Sequence, residues 1–320
     1  MTRSSTRLTH NPSLCARTRR LLVSLAVALV TTLCCASCSS GAETVATGPS
    51  YSPPSTINDA TYDASAAYTS NGASIDTSHA AKGYVGISAT SASRLKATVA
   101  TGSSTQQVYD LPSDGTPIIV PLSMGDGTYE IRVMQNTSGD RYVELCSTSA
   151  SVTLETEFAP FLRPNIYCDY TDSSNCVARA RELAEGCENQ AEILNAVFDY
   201  ITQNVSYDTD KASVLADQSG YLPDPDDTLS SGTGICLDYA SLGAAMLRSQ
   251  GIPAQIVTGT VSPDDIYHAW IMVYISGTWQ TAQISVEDST WSRVDLTFAA
   301  GSGPTDRVGD GKTYTDRYVY

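Results

Sequence analysis

Between residues 84 and 156, apolar and β-branched residues recur in short runs: YVGISAT, LKATVAT, QQVYDL, TPIIVPLS, TYEIRVM, RYVELC and SVTLET. Turn signals separate several of them, among them Asp114-Gly115, Gly125-Asp126-Gly127 and Ser138-Gly139. Short strands with turns every roughly 8–12 residues predict a small β-sandwich-like domain over 76–158. The period then changes. After a linker near 159–176, VARARELAEG reads as a helix that stops at Gly186. Asn189 and Glu192 stand at capping-box spacing before a stripe of Ile193, Leu194, Val197, Phe198 and Ile201. Residues 206–235 read as loop, with Pro223 and Pro225 among many aspartates. The DPDD within it suggests a calcium loop, but a solvated loop is far commoner and the twelve-residue EF-hand spacing is absent.

From Ile235 to Ser249 the chain is apolar almost all round, which predicts a central buried helix stopped by Gly251 and Pro253. IYHAWIMVYI (266–275) alternates as a strand, with His268, Trp270, Met272 and Tyr274 on one face. TWSRVDLTF (290–298) alternates likewise, with Trp291, Arg293, Asp295 and Thr297 together.

Candidate chemistry sits on these elements. Cys236 opens the buried helix, where unpaired N–H groups and the positive dipole end favour a thiolate. Gly232 and Gly234 let other backbone approach the same spot. A structural cysteine needs none of this, although small buried cysteines also occur at helix starts. His268 is the one histidine expected inside a packed core, one strand beyond the cysteine helix. A third group would fix its tautomer. Asp288 lies in a turn, where an aspartate usually caps its own backbone. Asp295, inside an apolar strand, has no such routine task and is preferred. Trp270 and Tyr207 are candidates to shape an acyl pocket, and core packing explains both equally well.

The N-terminus changes the picture of where this happens. Arg17, Arg19 and Arg20 precede LLVSLAVALVTTL, a run shorter than the ~20 residues of a membrane-spanning helix. Residues 1–37 therefore read as a signal peptide. CASCSSG follows, with Cys38 placed like the diacylated cysteine of a bacterial lipoprotein, although Cys35 stands where an aliphatic residue is usual. Two acyl chains would anchor the chain stably at the membrane, whereas ordinary cleavage would release it as a secreted protein. Residues 38–75, rich in Ser, Thr, Ala and Pro, read as a flexible tether. Cleavage removes five arginines and no acid, so the formal charge moves from −15 to −20. So acidic a chain would be repelled by phosphate backbones, and nucleic acid is not an expected partner. Cys146, Cys168, Cys176, Cys187 and Cys236 remain, an odd number. In an oxidising exterior four would pair and one stay free. No C-x-x-C spacing recurs, so no structural zinc or other cofactor is implied.

These residues resemble the transglutaminase-like, papain-related superfamily of thiol enzymes, and most closely its bacterial secreted lipoprotein members. VSYDTDKAS (205–213), GYLPDPDDTL (220–229), GTGICLDYASLGAAMLRSQGIPAQIVTG (232–259), YHAWIMVY (267–274) and WSRVDLTFAA (291–300) carry the likeness. The resemblance implies an α+β fold over 159–320, with a cysteine helix packed on an antiparallel sheet. It also implies Cys236 as nucleophile, His268 as base and acid, and Asp295 as the orienting carboxylate, with no cofactor. The family often has D-P-T where Asp295-Leu296-Thr297 stand, and an extra hairpin is expected before Trp291, so Asp288 stays an alternative. The implied activity is hydrolysis or acyl transfer at amide or peptide bonds of extracellular proteins or cell-wall peptides. The rival is a catalytically silent surface lipoprotein that binds proteins or cell wall.

Overall fold

The computed structural model describes residues 44–102, 104, 106–216, 218–262, 265–281, 284–301 and 314–320. The signal peptide and Cys38 lie outside these residues. The first half is built from β1 (Val45–Thr47), β2 (Tyr68–Ser70), β3 (Ala73–Asp76), β4 (Tyr84–Ala89), β5 (Leu95–Thr101), β6 (Gln107–Leu111), β7 (Ile118–Pro121), β8 (Gly127–Ser138) and β9 (Arg141–Val152). Two four-stranded antiparallel sheets result, in the orders β2-β3-β4-β7 and β6-β5-β8-β9. Period-two patterning makes them. Tyr129, Ile131 and Val133 are fully buried while Glu130 and Arg132 between them face solvent.

The second half contains α1 (Asn175–Ala184), α2 (Gln190–Asn204), β10 (Ser206–Tyr207), α3 (Thr209–Leu215), α4 (Pro225–Ser231), β11 (Thr233–Gly234) and α5 (Cys236–Ser249). There follow β12 (Ala254–Val261), β13 (Ile266–Val273), β14 (Thr278–Gln280), β15 (Ser285–Val286), β16 (Ser292–Val294), α6 (Leu296–Ala299) and β17 (Tyr314–Val319). Strands in the order β16-β13-β12-β17 form an antiparallel sheet. α5 lies between that sheet and helices α1 and α2. Every residue of α5 from Asp238 to Ser249 is buried, as its all-round apolar sequence predicts. Leu242, Met246 and Leu247, none of them exposed, each contribute roughly 1.5–3 kcal/mol by burial. β17 reaches β12 only because residue 259 is glycine: a Cβ there would lie 2.0 Å from the main-chain oxygen of Thr315.

One polar side chain ties this core together. Arg248, 1% exposed in the last turn of α5, donates from Nε to Ala254 O (2.8 Å), from Nη1 to Arg163 O (2.8 Å) and from Nη2 to Tyr320 O (3.0 Å). The two halves share a continuous apolar core. Tyr109 of β6, Tyr167 and Tyr320 meet ring to ring with centroids 4.4–6.0 Å apart. Gln107 and Ser123 both donate to the main-chain oxygen of Val319.

Four sequence expectations are revised. The flexible tether is part of the fold from Thr44 onward. β1 pairs with β14, Tyr51 N–H donates to Glu188 O (2.7 Å), and its hydroxyl to Gln250 O (3.0 Å). Its small polar composition hides a few well-spaced anchors, Tyr51 and Ile57 among them, that pack on the core. The linker near 159 is likewise packed, with Ala159, Pro160 and Phe161 buried. The loop over 206–235 holds two short helices, each with an aspartate N-cap: Asp208 accepts from Lys211 N–H, and Asp224 from Asp226 and Asp227 N–H. Asp226 in turn accepts from Asn175 and Cys176 N–H at the start of α1, so the DPDD run serves helix termini. Finally, all five cysteines among the described residues are free. The Cys146, Cys168 and Cys187 thiols each donate to a main-chain carbonyl, of Tyr68, Ser241 and Leu183 respectively.

Candidate active site

Cys236 is the first residue of α5 and is half-buried. Its helix begins without a side-chain acceptor at the N-cap, since Ile235 occupies that position. Asp238 compensates by accepting the Ile235 N–H at 2.8 Å. Gly234 makes room for this, because a Cβ there would lie 2.6 Å from Asp238 Cβ. The close approach expected at that glycine therefore comes from the helix's own aspartate and not from other backbone.

His268 projects from β13, opposite Gly259 of β12, and is 4% exposed. Its Nε2 donates to Asp295 Oδ2 at 2.7 Å, since an ionised carboxylate can only accept. That leaves Nδ1 for the Cys236 side chain, whose nearness favours the charged ring. Phe298 stacks on the ring at 4.4 Å between centroids and 8° between planes. Burial alone would pull the imidazole pKa down. The charge and hydrogen bond of Asp295, aided by Cys236, outweigh it and lift the value to about 10. The imidazolium form is therefore the one this pocket favours.

Asp295 is 2% exposed, and its position differs from the sequence reading. β16 ends at Val294, and Asp295 is the N-cap of α6, accepting the Phe298 N–H on Oδ1 at 3.0 Å. The cap fixes one oxygen and so aims the other at His268. Asp288 accepts Gly277 N–H at 2.6 Å in a local turn, the routine task that its position suggests. The expected additional hairpin is β14–β15.

Of the other candidates, Tyr207 is half-buried on β10, paired with Gly234, and lies beside Cys236. Burial, and after it Cys236, raises its phenol pKa. Trp270 is 1% exposed and packs edge-on to Tyr314 at 4.9 Å, so it supports the site from beneath and does not line its open face. The sequence reading missed Tyr314, whose hydroxyl donates to Asp295 Oδ2 at 2.9 Å. The Arg293 guanidinium lies 3.9 Å from that ring's centroid. Nothing local marks Tyr314, which arrives on β17. Phe298 was visible only as an apolar residue three positions after an aspartate.

Residues 177–296 match the sequence profile of the Transglutaminase-like superfamily. This stretch is similar to a transglutaminase-like domain. It holds Cys236, His268 and Asp295, while Tyr314 and the β-rich half lie beyond the match. A UPF0252 protein of Archaeoglobus fulgidus is 28% identical over 96 residues, 26% of this chain and 31% of the relative. The matched region thus spans about a third of that curated relative's length. A solved Cytophaga hutchinsonii protein described as a cysteine protease is 18% identical, with 74% of this chain and 86% of that one covered and a TM-score of 0.34. A Parabacteroides distasonis protein described as a protease is 16% identical, with 66% and 44% covered and a TM-score of 0.28. The matched stretch is a mixed helix and antiparallel-sheet fold that carries the cysteine helix, the histidine strand and the aspartate cap.

Proposed function

We propose that this chain is a thiol enzyme that acts on amide or peptide carbonyls through Cys236, His268 and Asp295. One observation carries the reading: a buried imidazole whose Nε2 is 2.7 Å from an enclosed carboxylate, with a helix-opening cysteine near enough to favour its charged form. The Cys236 thiolate attacks the carbonyl carbon, and the carbonyl π electrons move onto oxygen. The main-chain N–H of Cys236 steadies that oxygen. The C–N bond breaks as the imidazolium proton passes to nitrogen, and an amine leaves a thioester behind. The neutral imidazole next takes a proton from water or from a second amine, which attacks the thioester and restores the thiolate. Water gives hydrolysis; a lysine amine gives an isopeptide bond. Asp295, held by its own cap, keeps the ring turned for both steps.

In this reading the chain works outside the cell, tethered through diacylated Cys38, where surface proteins and cell-wall peptides are within reach. A pool of glutamine-containing peptides, quenched in acid, should leave an acyl adduct on Cys236 that hydroxylamine removes and that Cys236→Ala lacks. An adduct equal in both proteins, or none in either, overturns the enzyme. Expressed at full length, the wild type should partition into detergent and Cys38→Ala into the aqueous phase. Aqueous partition of both overturns the tether.

A further inference from the structure

Asp238 is a carboxylate with no exposed surface, two residues after the cysteine in a largely apolar helix. Burying such a charge is unfavourable unless it is paired and hydrogen-bonded. Besides the Ile235 N–H, its partners come from one stretch of chain. Oδ2 accepts from Lys211 Nζ of α3 at 2.7 Å, and Oδ1 accepts from the Tyr221 hydroxyl. Lys211 Nζ also stands 4.7 Å from the centroid of the Tyr221 ring. Burial disfavours the lysine charge, but the bonds to Asp238 and Tyr221 outweigh this and raise its pKa. One buried carboxylate therefore grips this stretch near both ends.

The stretch leaves the site and returns to it. It starts from Tyr207, beside Cys236, and Asp208 N–H donates to Gly234 O at 2.9 Å. On its far side the β-rich half braces it. Arg94 donates from Nη2 to Ser219 Oγ at 2.7 Å while Nη2 and Nε hold Asp110 Oδ1 at 2.6 and 3.0 Å. Gly220 backs onto the same aspartate, at a φ of +87° that favours glycine. Val214 and Leu222 are exposed on this stretch, as Ile266 and Tyr267 are on β13 immediately before His268.

We propose that α3 with residues 218–222 is the wall that selects substrates beside Cys236, that Asp238 is its positioning residue, and that it favours apolar side chains next to the reacting carbonyl. This rests on the thiol-enzyme reading. It also gives the β-rich half a task, because Arg94 and Asp110 hold the wall from outside.

The test compares two electrophiles on the full-length protein: iodoacetamide, and a tripeptide chloromethyl ketone ending in leucine. The ratio of the chloromethyl ketone rate to the iodoacetamide rate at Cys236 reports recognition apart from thiol chemistry. Tyr221→Phe and Lys211→Met should lower that ratio about fivefold or more, and the exposed Arg94→Ala about twofold. Amide hydrogen-exchange protection should fall in 209–222 and hold in α5. A ratio steady within about twofold in Lys211→Met, despite lost protection in 209–222, overturns the wall. So does protection that no variant changes. If His268→Ala leaves iodoacetamide labelling as fast as in the wild type, the thiol-enzyme reading itself fails and the proposal falls with it.

Discussion

Replacing His268 with alanine is expected to slow acyl transfer, read as thioester formation from peptide amides, by about 10³-fold. The side chain is asked to supply two things, a counter-charge for the thiolate and a proton for the leaving amine. No other histidine can take over. His10 lies outside the described residues, and His79 sits in the β-rich half, where it contacts Ser78 and Asp76. A loss smaller than about tenfold would mean that proton transfer runs through another group. The same variant carries a signature in stability. The His268 pKa rises from an ordinary 6.5 to about 10 in the folded chain, so the folded state holds the proton more tightly. That contribution is complete below pH 6.5 and disappears as the pH climbs through 10. The stability gap between wild type and His268→Ala should therefore narrow from pH 6 to pH 10 in urea titrations. A gap that widens would show that the native imidazole is neutral.

The second large effect is structural. Arg248→Met is expected to remove about 3 kcal/mol of stability, measured as a fall in the urea midpoint at unchanged slope. Three main-chain oxygens from separate segments lose their donor at once, and hydrogen bonds to a charged group are worth about 1.5–3 kcal/mol each. Methionine regains part of this by filling the space, and one buried charge no longer has to be desolvated. A loss under about 1 kcal/mol would show that the guanidinium is a passenger in the core.

The parts of the fold that the sequence revealed are those with long, clean periods. α5 announced itself through fourteen residues of nearly unbroken apolar character, and β13 through strict alternation. Short helices gave no period to read, and only Asp208 and Asp224, as N-caps, marked α3 and α4. Asp295 was singled out from an alternation that stops one residue before it, so the residue was found and its element misread. Cysteine parity misled because a count of thiols says nothing about which carbonyl each one faces. Tyr314 shares Asp295 with His268 through tertiary contact alone, across nineteen residues. Asp238 looked like one polar residue in an apolar run, and the side chains that bind it lie far back in the chain.

The tyrosine cluster joining Tyr109, Tyr167 and Tyr320 bears on how this molecule can be dissected. A fragment trimmed to the matched stretch, 177–296, would discard all three rings along with β17, baring a face evolved to be dry. The stretch that carries the family likeness is smaller here than the unit whose apolar core is continuous. Chimeras and minimal catalytic fragments should respect the larger one.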